Sequence, residues 1–316
     1  MRTLLLKIFL SFSLLIISER DTAYAQAFVD KGYSAKITSL GRAAVSLSDD
    51  PSLIFYNPAG IGFGRSLKLF TSYTNLYPNI ADANLNFFSF AGDYPVSDLG
   101  VIGIGVTQFA PAGWSENMAV GTFARQMFDG QLSVGGSVKM LRWSALAPQG
   151  ENAVPEDALS YLGFSFDVGA IYSFKDIFKG NDIQIGASVL NFTQPSVASN
   201  GSSDAKLPAE LSAGASYISR VYDYSATAGI TVKGKDIRVG GGAEFIGLKT
   251  TVLGSAAAFL VRAGGGRLTA ANSQGEYDAG FGIVIGNVTI DYSFSYQAMV
   301  GNVGGISSLS LGYVFN

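Results

Sequence analysis

The 316-residue chain contains no cysteine and no histidine. Without thiols no disulfide can brace it, and without imidazole the usual zinc, haem and histidine-base chemistries lack their ligands, which points away from an enzyme and from any cofactor. Charged residues are scarce too, 14% of the chain against the roughly 25% usual in soluble domains. Beyond residue 25 there is no uninterrupted apolar run of the roughly eighteen residues that a helical membrane span needs. Nor is there a basic block of the kind that grips nucleic acid, which is excluded as a partner.

What is present is 48% apolar residues, interrupted at nearly every second position. A chain too apolar for water and too interrupted for helices is predicted to cross a membrane as β-strands, with lipid as its surroundings. The opening "MRTLLLKIFLSFSLLIIS" places Arg2 and Lys7 ahead of an apolar run, and "AYAQ" offers a small-x-small site. This predicts a signal peptide over residues 1–25, cut after Ala25, and export to the outer membrane of a Gram-negative bacterium. Its removal takes Arg2, Lys7, Arg20, Glu19 and Asp21 from totals of 21 basic and 24 acidic residues, leaving 18 and 22, a net charge of −4.

Period-two alternation gives the strands. In "VTIDYSFSY", Val288, Ile290, Tyr292, Phe294 and Tyr296 share one face and Thr289, Asp291, Ser293 and Ser295 the other; no helix sorts residues this way. "QLSVGGSVKML" and "YSATAGITV" repeat the pattern, and weaker copies bring the expectation to about fourteen strands between residues 66 and 316. Connections alternate between long, as at 144–160, 194–208 and 264–276, and short, as around Gly130, Val221 and Gly286. That alternation fits outer loops and inner turns, although "KGKD" at 233–236 falls on the long side and is short. The last strand, "LSLGYVFN", is amphipathic and carries an aromatic at its end. The fold class expected is all-β: a transmembrane antiparallel β-barrel with a short N-terminal helical plug.

That plug is residues 26–65, which do not alternate. Asp50 before Pro51 and Asn57 before Pro58 each place a capping residue ahead of a proline at the first helical position, the combination that starts a helix. Two short helical turns in series are predicted, with a forty-residue segment at the barrel mouth.

"LGRAAVSLSDDPSLIFYNPAGIG" resembles the N-terminal signature of the PorV/PorQ family, and "LPAELSAGASY", "FLVRAGGG" and "AGFGIVIGNVTIDYSFSY" agree with it over nearly the whole mature chain. That family is similar in turn to the FadL-type channels, fourteen-stranded barrels whose N-terminal hatch carries Asn-Pro-Ala. The resemblance implies a hatch motif of Asp49, Asp50, Pro51, Asn57, Pro58, Ala59 and Gly60. It also implies work in type IX secretion, with secretion-system proteins and secreted cargo as partners at the outer loops. The alternatives are a FadL-like channel that takes a hydrophobic ligand, lipid or detergent into its lumen, and a structural barrel with no transport role.

Strand parity points Lys139, Asp167, Arg238, Glu244, Arg262 and Asp291 into the lumen, where buried charges must pair or stay wet. A network tying wall to hatch is expected of them. Asp50 reads as a helix cap, and a cation at Asp49 and Asp50 is the minor alternative. Tyr77, Trp114 and Trp143, near strand ends, read as anchors at the lipid interface. "GGG" at 240–242 reads as a bend rather than a phosphate loop, and neither "GFGRSLKLF" nor "GGGRLTAANSQGE" is followed by the helix that nucleotide binding needs.

Overall fold

The computed structural model describes residues 27–80, 84–146, 159–178, 180–200, 205–252, 254–269 and 275–315. The predicted signal peptide and the tip of the 144–160 connection, residues 147–158, lie outside the described residues.

Fourteen strands form one closed antiparallel barrel. They are β1 (Lys68–Leu76), β2 (Asn86–Val96), β3 (Gly100–Phe109), β4 (Trp114–Met127), β5 (Leu132–Ala145), β6 (Leu159–Phe174) and β7 (Asn181–Leu190), followed by β8 (Glu210–Ser219), β9 (Tyr224–Lys233), β10 (Asp236–Val252), β11 (Ser255–Leu268), β12 (Gly275–Ile285), β13 (Val288–Gln297) and β14 (Ile306–Val314). Each pairs with its sequence neighbours, and β1 closes the ring on β14, Lys68 lying opposite Val314 and Leu76 opposite Ile306. Closure leaves no free sheet edge to satisfy, the condition for strands in hydrocarbon.

The alternation sorts as expected. On β13 Asp291, Ser293 and Ser295 are buried in the lumen, while Ile290, Phe294 and Tyr296 stand 40%, 38% and 42% exposed on the outer face. Outward Phe123, Met140, Phe164, Phe259, Phe281 and Leu309 extend that apolar belt around the ring, which a bilayer accommodates and water does not. The connections β2–β3, β4–β5, β6–β7, β8–β9, β10–β11 and β12–β13 are short, from two to six residues, and among the tightest is Gly286–Asn287, where Gly286 takes φ 55° at no steric cost.

Three expectations need correction. The glycine triplet at 240–242 is not a bend: it runs in register with Gly264–Gly266 of β11, and the irregularity in β10 falls between Ile246 and Leu248. Trp143 and Trp114 are not lipid anchors: Trp143 is buried inside the mouth, and Trp114, half-buried, stacks on it with ring centroids 4.8 Å apart. Tyr77 is likewise turned to the interior, its hydroxyl bonded to Gln297. A position near a strand end fixes height along the barrel; residue parity, not height, fixes the face.

The 191–209 connection also turns inward. Val197 and Leu207 are buried, Ser196 bridges Lys206, and Trp143 Nε1 donates to the Val197 carbonyl at 2.7 Å. The described parts of the connection, 191–200 and 205–209, thereby fold into the mouth.

Candidate functional site

Residues 27–65 run through the lumen, from Ala27 near Trp114 and Trp143 at the long-loop end to Gly64 at the short-turn end. Three short helical pieces form along it, because its apolar side chains have an enclosed space to fill and its polar caps satisfy the backbone ends. The first, α1 (Ala35–Ser39), is capped by Ser34, and the sequence reading missed it. The other two are the predicted capped turns, here 3-10 helices at Pro51–Phe55 and Pro58–Phe63. Asp50 accepts from the Ser52 amide at 2.9 Å and Asn57 Oδ1 from the Ala59 amide at 3.0 Å.

Asn57 does more than cap. Fully buried, its Nδ2 donates to the Val45 carbonyl at 2.6 Å and reaches the carbonyls of Ala170 on β6 and Ala187 on β7 at 3.4 Å. Ser133 of β5 donates to the Ala59 carbonyl at 2.7 Å. The Asn-Pro-Ala-Gly stretch therefore lies flat on the inner wall, and the wall beneath is glycine for that reason. A Cβ at Gly135 would lie 2.6 Å from Pro58 backbone, and one at Gly264 2.5 Å from the Gly41 amide.

The six lumenal charges fall into separate groups. Arg262 holds Glu244 at 2.5 Å and Asp291 at 2.6 Å, a triad within the wall. Lys139 pairs with Asp167 at 2.8 Å, also within the wall. Of the six, Arg238 reaches the plug directly, donating to the Gly41 carbonyl at 2.7 Å and lying 3.3 Å from Glu276. The other ion pairs between wall and plug are Arg42 to Glu276 at 3.0 Å, Lys31 to Glu116 at 2.6 Å, and Lys68 to Asp49; of these six residues only Asp49 was singled out in the sequence. Pairing across the lumen was not readable from strand parity, since parity gives the face of a residue and not its neighbour. Asp49 and Asp50 point apart in use, Asp49 to Lys68 and Asp50 to its own turn and to Lys36 at 3.7 Å. Burial alone would lower the Lys36 ammonium's pKa, but Glu244 and Asp50 outweigh it and hold it above its usual value.

Between the plug and the long-loop end lies a cavity of about 540 Å³. One side is apolar, made by Phe28, Tyr33 and Phe55 of the plug with Leu76, Phe109 and Met118 of the barrel. Tyr33 stacks on Phe55 with centroids 4.8 Å apart, and burial, then the nearby Asp30, push its phenol well above the usual range. The opposite side is polar, formed by β8–β12 around Lys233, Arg238 and Glu276. A second cavity of about 650 Å³ lies nearer the mouth, among Phe109, Trp114, Trp143 and Val197. Both are of the size and mixed lining that hold small ligands.

No protein-family profile matches the sequence, and no curated protein does. The structure does match solved structures. A Pseudomonas aeruginosa FadL homologue is 13% identical, with TM-score 0.53 over 87% of this chain and 96% of that one. The Ralstonia pickettii toluene transporter TbuX is 13% identical, with TM-score 0.53 over 90% and 99%. The Pseudomonas putida toluene transporter TodX is 11% identical, with TM-score 0.52 over 92% and 98%. At such identity the likeness is one of fold, and the chain has the fold of the FadL-type membrane barrels: a closed ring of fourteen antiparallel strands.

Proposed function

We propose that the protein sits in the outer membrane of a Gram-negative bacterium and takes up hydrophobic small molecules through its plugged lumen, residues 26–65 acting as the hatch. The observation that carries this reading is the cavity above the plug, with Phe28, Tyr33, Phe55 and Phe109 on its apolar side and walled by the same ion pairs that hold the plug in place. Two of the structures with this fold are toluene transporters, which supports it. A cell lacking the gene should accumulate a labelled hydrophobic compound more slowly than one carrying it. Met118→Trp, which fills the cavity from β4, should lower uptake about fivefold or more while the barrel still migrates as a folded species on unheated gels. Equal uptake with and without the gene refutes the proposal.

The secretion role implied by the PorV/PorQ resemblance is the second reading. It is favoured by the β5–β6 hairpin, where Leu159, Leu162 and Phe164 stand exposed beyond Val168, the last β6 residue paired with β7. Deleting residues 147–158 should then abolish co-purification of secreted proteins and translocon components without unfolding the barrel. A deletion that leaves the co-purifying set unchanged removes this reading.

A further inference from the structure

We propose that the cavity above the plug selects an uncharged amphiphile, an apolar ring or chain with a neutral hydrogen-bonding head, and excludes carboxylates. The inference rests on the uptake reading and names its ligand class.

The two sides of the cavity are chemically unlike, so a ligand that fills it lies with its apolar part against Tyr33, Phe55 and Met118 and its head towards Arg238 and Glu276. The cavity is lined by many cations, which by themselves would suggest an anionic ligand. Five of them are already matched by acids. Lys233 faces Glu210 at 3.8 Å and Lys139 faces Asp167 at 2.8 Å. Lys31 is held by Glu116 at 2.6 Å and also lies over the Phe109 ring, 4.7 Å from its centroid. Arg42 and Arg238 share Glu276, and Arg42 has Asp30 as well, at 3.3 Å.

Five of the lining cations are thus set against five acids, in pairs that are mostly shielded from water. A carboxylate entering the cavity meets no uncompensated positive charge among these five. To pair, it must displace an acid such as Glu276, and that acid would stay behind, buried and unpartnered, which is the costly outcome for an ion pair in low dielectric. A neutral head has no such obligation. A guanidinium offers five donors in a fixed fork, so a hydroxyl or carbonyl oxygen can be met by Arg42 or Arg238 without unseating Glu276.

The test uses the full mature protein in lipid nanodiscs, with 4-propylbenzyl alcohol and 4-propylbenzoate as probes matched in ring and tail, titrated calorimetrically at pH 7. The alcohol should bind about tenfold or more tightly than the benzoate, the size of one charge-assisted hydrogen bond lost. Glu276→Gln frees one cation's worth of charge and should raise benzoate affinity about tenfold. Glu210→Gln does the same at the better-hydrated Lys233, with a smaller gain, and covers the case in which the first variant fails to assemble. Wild-type protein that binds both probes equally, or assembled Gln variants that gain nothing for the benzoate, overturns the selectivity and leaves the uptake reading standing. If neither probe binds any form, the uptake reading fails and this inference with it.

Discussion

Asn57 shows what a single side chain does here. Its amide oxygen accepts one backbone N–H, and its two N–H donors serve the Val45 carbonyl and, between them, the Ala170 and Ala187 carbonyls of β6 and β7, groups that have no water to turn to. Asn57→Ala should loosen plug docking by about 2–4 kcal/mol, the cost of orphaned buried groups. The check is faster hydrogen exchange across 43–61 with the strands still protected. Arg262 is the second such residue, its side chain 2% exposed between two carboxylates. Arg262→Met leaves both unpaired and should cost about 3–5 kcal/mol, read as a lower temperature of loss of the compact gel form. The triple change that also makes Glu244→Gln and Asp291→Asn should recover most of it. Tyr33 gives a pH prediction. Its phenol is held above the usual range in the folded chain, so the folded state keeps a proton that the unfolded state releases. Stability from this group is intact below about pH 10, where free tyrosine ionises, and falls as pH rises beyond it. Tyr33→Phe should flatten that alkaline loss in a melting series.

At the scale of elements, strands and plug are fitted by size. Inward glycines on β5, β7, β10 and β11 face the plug backbone, and Gly242 would place a Cβ 2.7 Å from Leu40 Cα. Gly264→Val should push the Leu40–Gly41 turn off the wall and raise ion conductance in planar bilayers, while Ala243→Val, on the outer face of β10, should not. The strands themselves were legible from side-chain sorting: β13 is found at Val288–Gln297, as "VTIDYSFSY" foretold. So were the two capped turns, because a cap and a proline act over three residues. Helix α1 was not, since "AKITS" has neither the length nor the periodicity to announce it and forms because Ile37 and Ser39 are enclosed by β11–β14.

For the whole molecule, the plug and the inward segments 191–200 and 205–209 are two obstacles in one lumen, and they should be separable. Deleting residues 27–64 should yield a barrel that still assembles, because its ladder of strand pairs is complete without them, and that passes ions steadily in bilayers. A closed pore after that deletion would mean that the inward segments at the mouth seal by themselves.

The sequence by itself determined the number of strands, the face each residue takes and the caps that start the plug's turns. These depend on neighbours two to four positions away, where steric alternation and local hydrogen bonds act. The tertiary structure decided which charges meet and where space is left. Arg42 and Glu276 are 234 residues apart and become partners because the ring closes around a plug. Trp143 proved to be part of the mouth's interior for the same reason. Nothing local marks such pairs: an ion pair forms where closure and packing bring opposite charges together out of water, and that is a property of the folded ring.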